Sequence, residues 1–168
     1  MLRESVFKAL NDQVNAEYFS AYLYMGMAAY AENAGFKGTA HWLLNQAKEE
    51  AAHGARIFEY ILERGSLPIL SDIAASPANY GSIREVFAKV VSHEKHVTDL
   101  INDIADLAVK ERDHASYRFI LWYVEEQVEE VSSAEDILNK VTAAGDSAAL
   151  LYGVDALLGQ RKFKHPFE

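Results

Sequence analysis

The sequence repeats itself once, at a spacing of 77 residues. Seventy-seven positions after Leu10 comes Phe87, and after Glu17 comes Glu94. Trp42, Leu43 and Leu44 return as Phe119, Ile120 and Leu121, while Glu49, Glu50 and His53 return as Glu126, Gln127 and Glu130. Polar positions are kept along with apolar ones, so the copies share a structure and not only a composition. Each copy holds two long runs of apolar residues at helical spacing, broken once by a short turn. The chain must therefore fold as two antiparallel helical hairpins that bury their apolar faces against each other.

The breaks give the boundaries. A first helix covers about 2–33, and Gly35 in the break at 34–38 suits a left-handed C-terminal cap. A second runs from about 39 to 64 and ends at Gly65. Residues 65–81, with Pro68 and Pro77, read as irregular and long enough to run the length of a bundle. Ser82, with Glu85 three residues on, predicts a capping box for a third helix that ends near Lys110. Asp113 suits the cap of a fourth, at about 115–143. Gly145-Asp146 breaks it, and a short apolar helix follows at 147–158. Leu150, Leu151, Val154, Leu157 and Leu158 make that helix too apolar to stand in water, so it must pack on the bundle or on another subunit. The tail, 159–168, is basic, carries Phe163, Pro166 and Phe167, and is expected to be loose. The expectation is all-α: one domain over 1–168, a four-helix bundle (about 2–143) of two hairpins with a long crossover, plus a fifth helix.

The chain has no cysteine, which excludes disulfides, iron–sulfur clusters and thiol nucleophiles. Its net charge of -9 argues against a nucleic-acid partner and suits cations. The N-terminus is charged at once and has no apolar signal region. No apolar run approaches the roughly 20 residues that span a bilayer. A cytoplasmic protein with no membrane partner is expected.

Which residues face the core follows from the same periodicity. In the third helix Ile83, Phe87, Val90, Glu94, Val97, Ile101, Ile104 and Ala108 alternate by four and three, one seam of a bundle helix. Glu94 occupies an apolar slot. The fourth helix places Gln127 and Glu130 in such slots, the second Gln46, Glu50 and His53, and the first Glu17, with Gln13 and Ser20 beside it. Glu17 and His53 lie symmetrically about Gly35, and Glu94 and Glu130 about Arg112, each 18 residues from its turn. At 1.5 Å per residue that is about 27 Å along the helix, the middle of the bundle. Four Glu, one His and one Gln thus meet at one height, with no Lys or Arg on these seams to neutralise them. One Glu in a nominal core slot usually sits at a helix edge in water. Four together would repel, and bound cations are the simplest remedy. An oxygen-rich set with one imidazole suits iron or manganese better than copper. Glu111-x-x-His114 has the same spacing as Glu50-x-x-His53 but falls in a turn with no other ligand at its height. His41, His93, His96 and His165 are expected at the surface.

Glu17, Glu50-x-x-His53, Glu94 and Gln127-x-x-Glu130 together resemble the non-haem ferritins of the prokaryotic type. So do Ala9 to Gln13, Tyr22-Leu23-Tyr24 and Trp122 to Glu130, and the likeness covers nearly the whole chain. It implies a ferritin-like bundle with a di-iron centre. One iron would be held by Glu17, Glu50 and His53; the second would share Glu50 and use Glu94 and Glu130, with Gln127 nearby. It implies a ferroxidase that oxidises Fe(II) to Fe(III) with dioxygen or hydrogen peroxide and stores a ferric mineral in a homo-oligomeric cage of 24 subunits. The fifth helix resembles the ferritin helix at the four-fold axis. A third iron site would use Glu49, Glu126, Glu129 and Glu130. Tyr24 and Trp122 match family aromatics that supply electrons, and fit equally as core packing. Two departures stand out. Di-iron carboxylate bundles repeat Glu-x-x-His on a second pair of helices, whereas Gln127-x-x-Glu130 replaces it here. A weaker second site would release its product, as storage needs. Val131 follows Glu130 where many relatives carry an acid, which leaves the third site open. Bacterioferritin is the alternative, but Ala51 stands where its haem ligand Met would be, so no haem is expected. A rubrerythrin needs cysteine-bound iron. A fixed di-iron or di-manganese oxidase or peroxidase would show two Glu-x-x-His motifs, and a purely structural bundle leaves the core carboxylates unexplained.

Overall fold

A computed structural model describes residues 2–167; Met1 and Glu168 lie outside the described residues. Five helices follow one another: α1 (Glu4–Asn33), α2 (Lys37–Glu63), α3 (Ile83–Lys110), α4 (His114–Ala144) and α5 (Ala148–Leu158). Their ends fall within two residues of those expected from the apolar period. Among the described residues there is no strand, and no helix is long and apolar enough to cross a membrane. The hairpin partners α1 and α2 pack along their length, as do α3 and α4, while α5 lies against α2 and α4.

The repeat extends into the turns. Phe36 N–H reaches back to Ala31 O at 2.9 Å, and Asp113 N–H to Ala108 O at 2.9 Å. Each is the six-to-one bond of a Schellman cap, and each places its pivot in the left-handed region: Gly35 at φ 86° and Arg112 at φ 57°. Arg112 has a Cβ that Gly35 lacks, so the second turn carries strain of about 1 kcal/mol. Arg112→Gly is therefore predicted to stabilise the chain by about 0.5 kcal/mol, after the added freedom of the unfolded chain is subtracted. Thermal unfolding of the two proteins side by side checks the sign.

The caps are mostly local. Ser82 Oγ accepts from Glu85 N–H at 3.2 Å, the serine half of the expected capping box, and Asp113 Oδ1 accepts from Ser116 N–H at 3.1 Å. Arg64 then grips both oxygens of Asp113, at 3.0 and 3.2 Å, and ties the end of α2 to the start of α4. The start of α2 differs. Its own N-cap, Phe36, has no side chain to offer, and the cap comes from α5. Asp155 accepts from Gly38 N–H (3.0 Å), Thr39 N–H (2.6 Å) and Thr39 Oγ1 (2.8 Å). The crossover, 64–82, runs beside α1. There Asn11 exchanges two hydrogen bonds with Ile69, and Asn15 Oδ1 accepts from Ser71 N–H.

The apolar core is in two pieces. One gathers Met27, Ala31, Leu43, Phe87, Val90 and Ile137; the other gathers Val6, Leu10, Ile57, Ile101, Ile104 and Ile120. Between them lies a buried polar layer containing Gln13, Glu17, Ser20, Gln46, Glu50, His53, Glu94, Gln127 and Glu130. The fifth helix uses one face only. Leu158 is buried and Leu151 and Val154 pack on the first cluster, while Leu150, Tyr152 and Leu157 stay more than half exposed.

Two expectations are corrected. The tail is not loose, because its cations and aromatics find acidic and aromatic partners: Arg161 pairs with Glu49 at 2.5 Å, and Phe167 packs on Trp122 at 4.5 Å between ring centres. Nor are all four remaining histidines at the surface. His41 and His96 are exposed, but His165 and His93 are half-buried. His93 bonds Ser20 Oγ at 2.8 Å and meets Phe19 and Tyr24 edge-on. Its burial, helped by nearby His96 and Lys89, lowers its pKa to about 4. Glu111 pairs with Arg3 at 3.5 Å, apart from any metal-type cluster.

Candidate metal centre

Six residues of the polar layer form the expected site, one or two from each of α1 to α4. Glu17 comes from α1, Glu50 and His53 from successive turns of α2, Glu94 from α3, and Gln127 and Glu130 from successive turns of α4. None of the six is more than 7% exposed. The tightest group is Glu17, Glu50 and His53, whose ligand atoms lie within 4.8 Å of one another. His53 Nδ1 stands 3.6 Å from Glu50 Oε2, too long for a hydrogen bond and suited to two ligands flanking one ion, since metal–ligand bonds are about 2.1 Å. Two buried atoms, Glu17 Oε2 and His53 Nε2, have no hydrogen-bond partner. An unpaired buried acceptor is costly, so Glu17 Oε2, orphaned beside a carboxylate cluster, fits a site shaped for a cation.

The second half of the layer is held differently. Glu94 accepts from Tyr24 Oη, and its Oε2 from Gln127 Nε2 at 3.2 Å. Glu130 Oε2 accepts from Gln46 Nε2 at 2.8 Å. Gln127 thus turns its amide donor toward Glu94 and acts on that carboxylate. The structure groups Glu17, Glu50 and His53 as expected and brings Glu94, Gln127 and Glu130 to the same layer, but outside that tight triad. Trp122 meets His53 edge-on at 5.5 Å, and Tyr123 donates its Oη proton to His53 O at 2.9 Å.

The expected third group lies beside this layer. Glu49, Glu126, Glu129 and Glu130 line a cavity of about 290 Å³, walled on the other side by Arg161, Lys162, Lys164, His165 and Pro166. The seams carry no Lys or Arg, as read from the sequence, yet the tail brings Arg161 against Glu49. Sequence reasoning missed Arg161, Phe167, Tyr123 and the roles of Gln13 and Gln46. The two glutamines did leave a signal. Each stands in a core slot four residues before a site carboxylate, and Gln13 Nε2 donates to Glu17 Oε1 at 2.8 Å.

Burial holds the layer's carboxylates above the usual range. Glu17 is pushed up further by the charge of Glu50, and Glu50 by those of Glu94 and Glu130. At Glu94 the bonds from Tyr24 and Gln127 oppose the rise. Glu130 reaches about 8, through burial and then the charges of Glu94 and Glu49. Tyr24 is held well above 10 by burial and by Glu94. Between pH 4.5 and about 8 the folded chain keeps a Glu130 proton that the unfolded chain has lost. Its contribution is fully present below 4.5 and disappears as pH rises through that window. The metal-free protein is predicted to melt at a lower temperature at about pH 8.5 than at about pH 5.5. Saturating Zn(II) should flatten that slope, because metal binds the deprotonated carboxylates. Scanning calorimetry at the two pH values reads both effects.

Comparison with known proteins gives one consistent answer. The Ferritin-like domain matches residues 7–144. A bacterial non-heme ferritin of Bacteroides fragilis is 38% identical over 161 residues, 96% of this chain and 100% of the relative. One of Staphylococcus aureus is 39% identical over 163 residues, 97% and 98% of the two chains. Among solved structures, a form of the Archaeoglobus fulgidus ferritin engineered to be closed superposes with a TM-score of 0.95 at 40% identity, covering 98% of this chain and 100% of that one. The open pore ferritin of the same archaeon gives 0.95 at 38%, covering 96% and 99%. The split core, the buried carboxylate layer and this likeness along the whole chain agree: the chain belongs to the ferritin family.

Proposed function

We propose that this chain is an iron-storage ferroxidase, active in the cytoplasm as a homo-oligomeric cage. Iron is its substrate and cargo. One Fe(II) is held by Glu17, Glu50 and His53. A second shares Glu50 and is held by Glu94 and Glu130, with Gln127 orienting Glu94. Each Fe(II) gives up one electron; dioxygen takes the pair with two protons to become hydrogen peroxide, or hydrogen peroxide takes the pair with two protons to become two waters. The observation that carries this reading is the buried triad itself, in which ligand atoms of Glu17, Glu50 and His53 lie within 4.8 Å of one another and Glu17 Oε2 has no hydrogen-bond partner. The two halves of the layer differ in kind. The α1–α2 half leaves donor atoms free, while the α3–α4 half already satisfies its carboxylates with neutral partners. That asymmetry supports one firm and one releasing position. Fe(III) leaving the second position would pass to a third, formed by Glu49, Glu126, Glu129 and Glu130, on its way to a ferric mineral. Tyr24, bonded to Glu94, and Trp122, beside His53, would supply the two further electrons that full reduction of dioxygen to water takes.

The exposed face of α5 supports assembly, and the relatives in this family include ferritins described as open-pored or closed. Twenty-four chains of 18.8 kDa would make a cage of about 450 kDa. The deciding experiment adds Fe(II) in air to purified protein and sizes the product. A particle of that mass holding hundreds of iron atoms is the expected result. A monomer or dimer that stops at two irons would reject storage and leave a fixed di-iron enzyme.

A further inference from the structure

Arg161 stands where a cation would. Its Nη2 donates to Glu49 Oε2 at 2.5 Å and its Nη1 donates to Gln46 Oε1, while Gln46 donates to Glu130 Oε2 at 2.8 Å. One guanidinium thus engages one wall of the acidic cavity directly and Glu130 through a single amide. Its flat face lies 4.8 Å from the Trp42 ring centre. The backbone there is held too, since Arg161 O accepts from His41 Nε2 at 2.8 Å and Asn45 Nδ2 at 3.3 Å. Six residues on, Phe167 makes a second anchor. Its ring lies 6.0 Å from that of His53, and the Arg56 guanidinium sits 4.1 Å from its centre. Between the anchors the chain bridges the cavity mouth.

Resting on the metal reading of the buried layer, we infer that residues 161–167 form a strap closed over the centre, with Arg161 as an internal counter-ion that a divalent metal ion entering the four-carboxylate cavity displaces. The charges favour the exchange. From each of the four carboxylates a doubly charged ion gains twice the Coulomb energy of a guanidinium at equal distance, and Arg161 meets only one of the four directly; Lys162 and Lys164 on the same cavity oppose the ion and leave with the strap. Arg161 keeps 26% of its side-chain surface in water, and its release returns the buried remainder to full hydration, which offsets part of the cost of breaking the pair. Losing the first anchor loosens the second, which uncovers the outer edge of His53. Metal in the outer cavity thereby opens the inner one.

The absence of cysteine allows one label to be placed cleanly. Lys164→Cys, carrying a nitroxide, is titrated with Zn(II), which is redox-silent and diamagnetic, while bound Zn(II) is counted by equilibrium dialysis. The expected spectrum is immobilised without metal and mobile once the outer cavity fills. Arg161→Gln in the same background should be mobile from the start and bind Zn(II) there about fivefold more tightly, since no counter-ion has to be displaced. Hydrogen–deuterium exchange of the tail amides in the unlabelled chain should accelerate with Zn(II), which guards against a label that frees the strap by itself. Bound Zn(II) with unchanged tail exchange would overturn the strap and leave the metal centre standing. No bound Zn(II) at all would overturn both.

Discussion

Glu50→Gln is expected to abolish tight metal binding at mid-bundle and, in the same molecule, to make the metal-free protein harder to unfold above neutral pH. The amide keeps the shape of the side chain and removes its charge. Glu50 is the carboxylate common to both proposed iron positions: it stands in the triad with Glu17 and His53, and it feels the charges of Glu94 and Glu130. Losing an outer partner of a ligand commonly costs 10- to 100-fold in metal affinity, so losing a shared ligand should cost more than about a hundredfold. The initial rate of Fe(II) oxidation should fall by a similar factor. Stability moves the other way. At pH 8 the buried Glu50 either ionises among like charges or keeps a proton that the unfolded chain has lost; both cost stability, and the amide removes that cost, so the melting temperature of the metal-free protein should rise by about 5 °C. Zn(II) titration with calorimetry reads both. Unchanged Zn(II) affinity would remove Glu50 from the shared position. The repeat already holds this exchange, because Gln127 is the counterpart of Glu50.

The second large effect is expected at Gly38. An added Cβ there would fall 1.8 Å from the backbone oxygen of Asp155, which cannot yield as a flexible side chain would. Gly38→Val should lift α5 from its seat, strip α2 of its borrowed cap and release Leu158 from the core. The lost cap alone is worth about 1 kcal/mol, the effect expected of Asp155→Ala. The oligomer should suffer most. Size-exclusion chromatography is expected to show Gly38→Val as small species, while helicity falls by no more than the share of the 11 residues of α5. Deleting 147–158 gives the limiting case. An intact cage from Gly38→Val would show that the fifth helix is dispensable for assembly.

The helices were legible because each carries its own periodic record, and the 77-residue repeat fixed which residues share a height. Gly35 and Arg112, read as midpoints, are the two left-handed pivots. The carboxylate layer followed from polar residues standing in apolar slots. What escaped were contacts between distant segments that no period marks. Nothing in Asp155 announces that it caps a helix more than a hundred residues earlier. Nothing in Arg161 or Phe167 says that a basic, aromatic tail folds back on the acidic layer. His93 was misread because its neighbours in sequence are polar, while those in space, Phe19 and Tyr24, come from another helix. The difference between the two halves of the layer needed the hydrogen bonds of Gln46 and Gln127, since the donor direction of an amide is not written in its spacing.

The interruption of the apolar core at the height of the carboxylates has a consequence for tolerance. A continuous core would transmit any change at its centre to both ends, because close-packed side chains pass strain to their neighbours. Here Met27, Phe87 and Ile137 on one side and Leu10, Ile57 and Ile101 on the other are each packed among themselves. The layer between them meets each body at aromatic contacts, Tyr24 with Glu94 on one side and Tyr123 with the His53 carbonyl on the other, so a change of protonation, or of bound iron on the proposed reading, falls on those contacts before the aliphatic packing beyond them. A container that cycles its contents needs a part that changes and parts that do not. The sequence separates them along the bundle axis, as a hinge pin is separate from the leaves it joins.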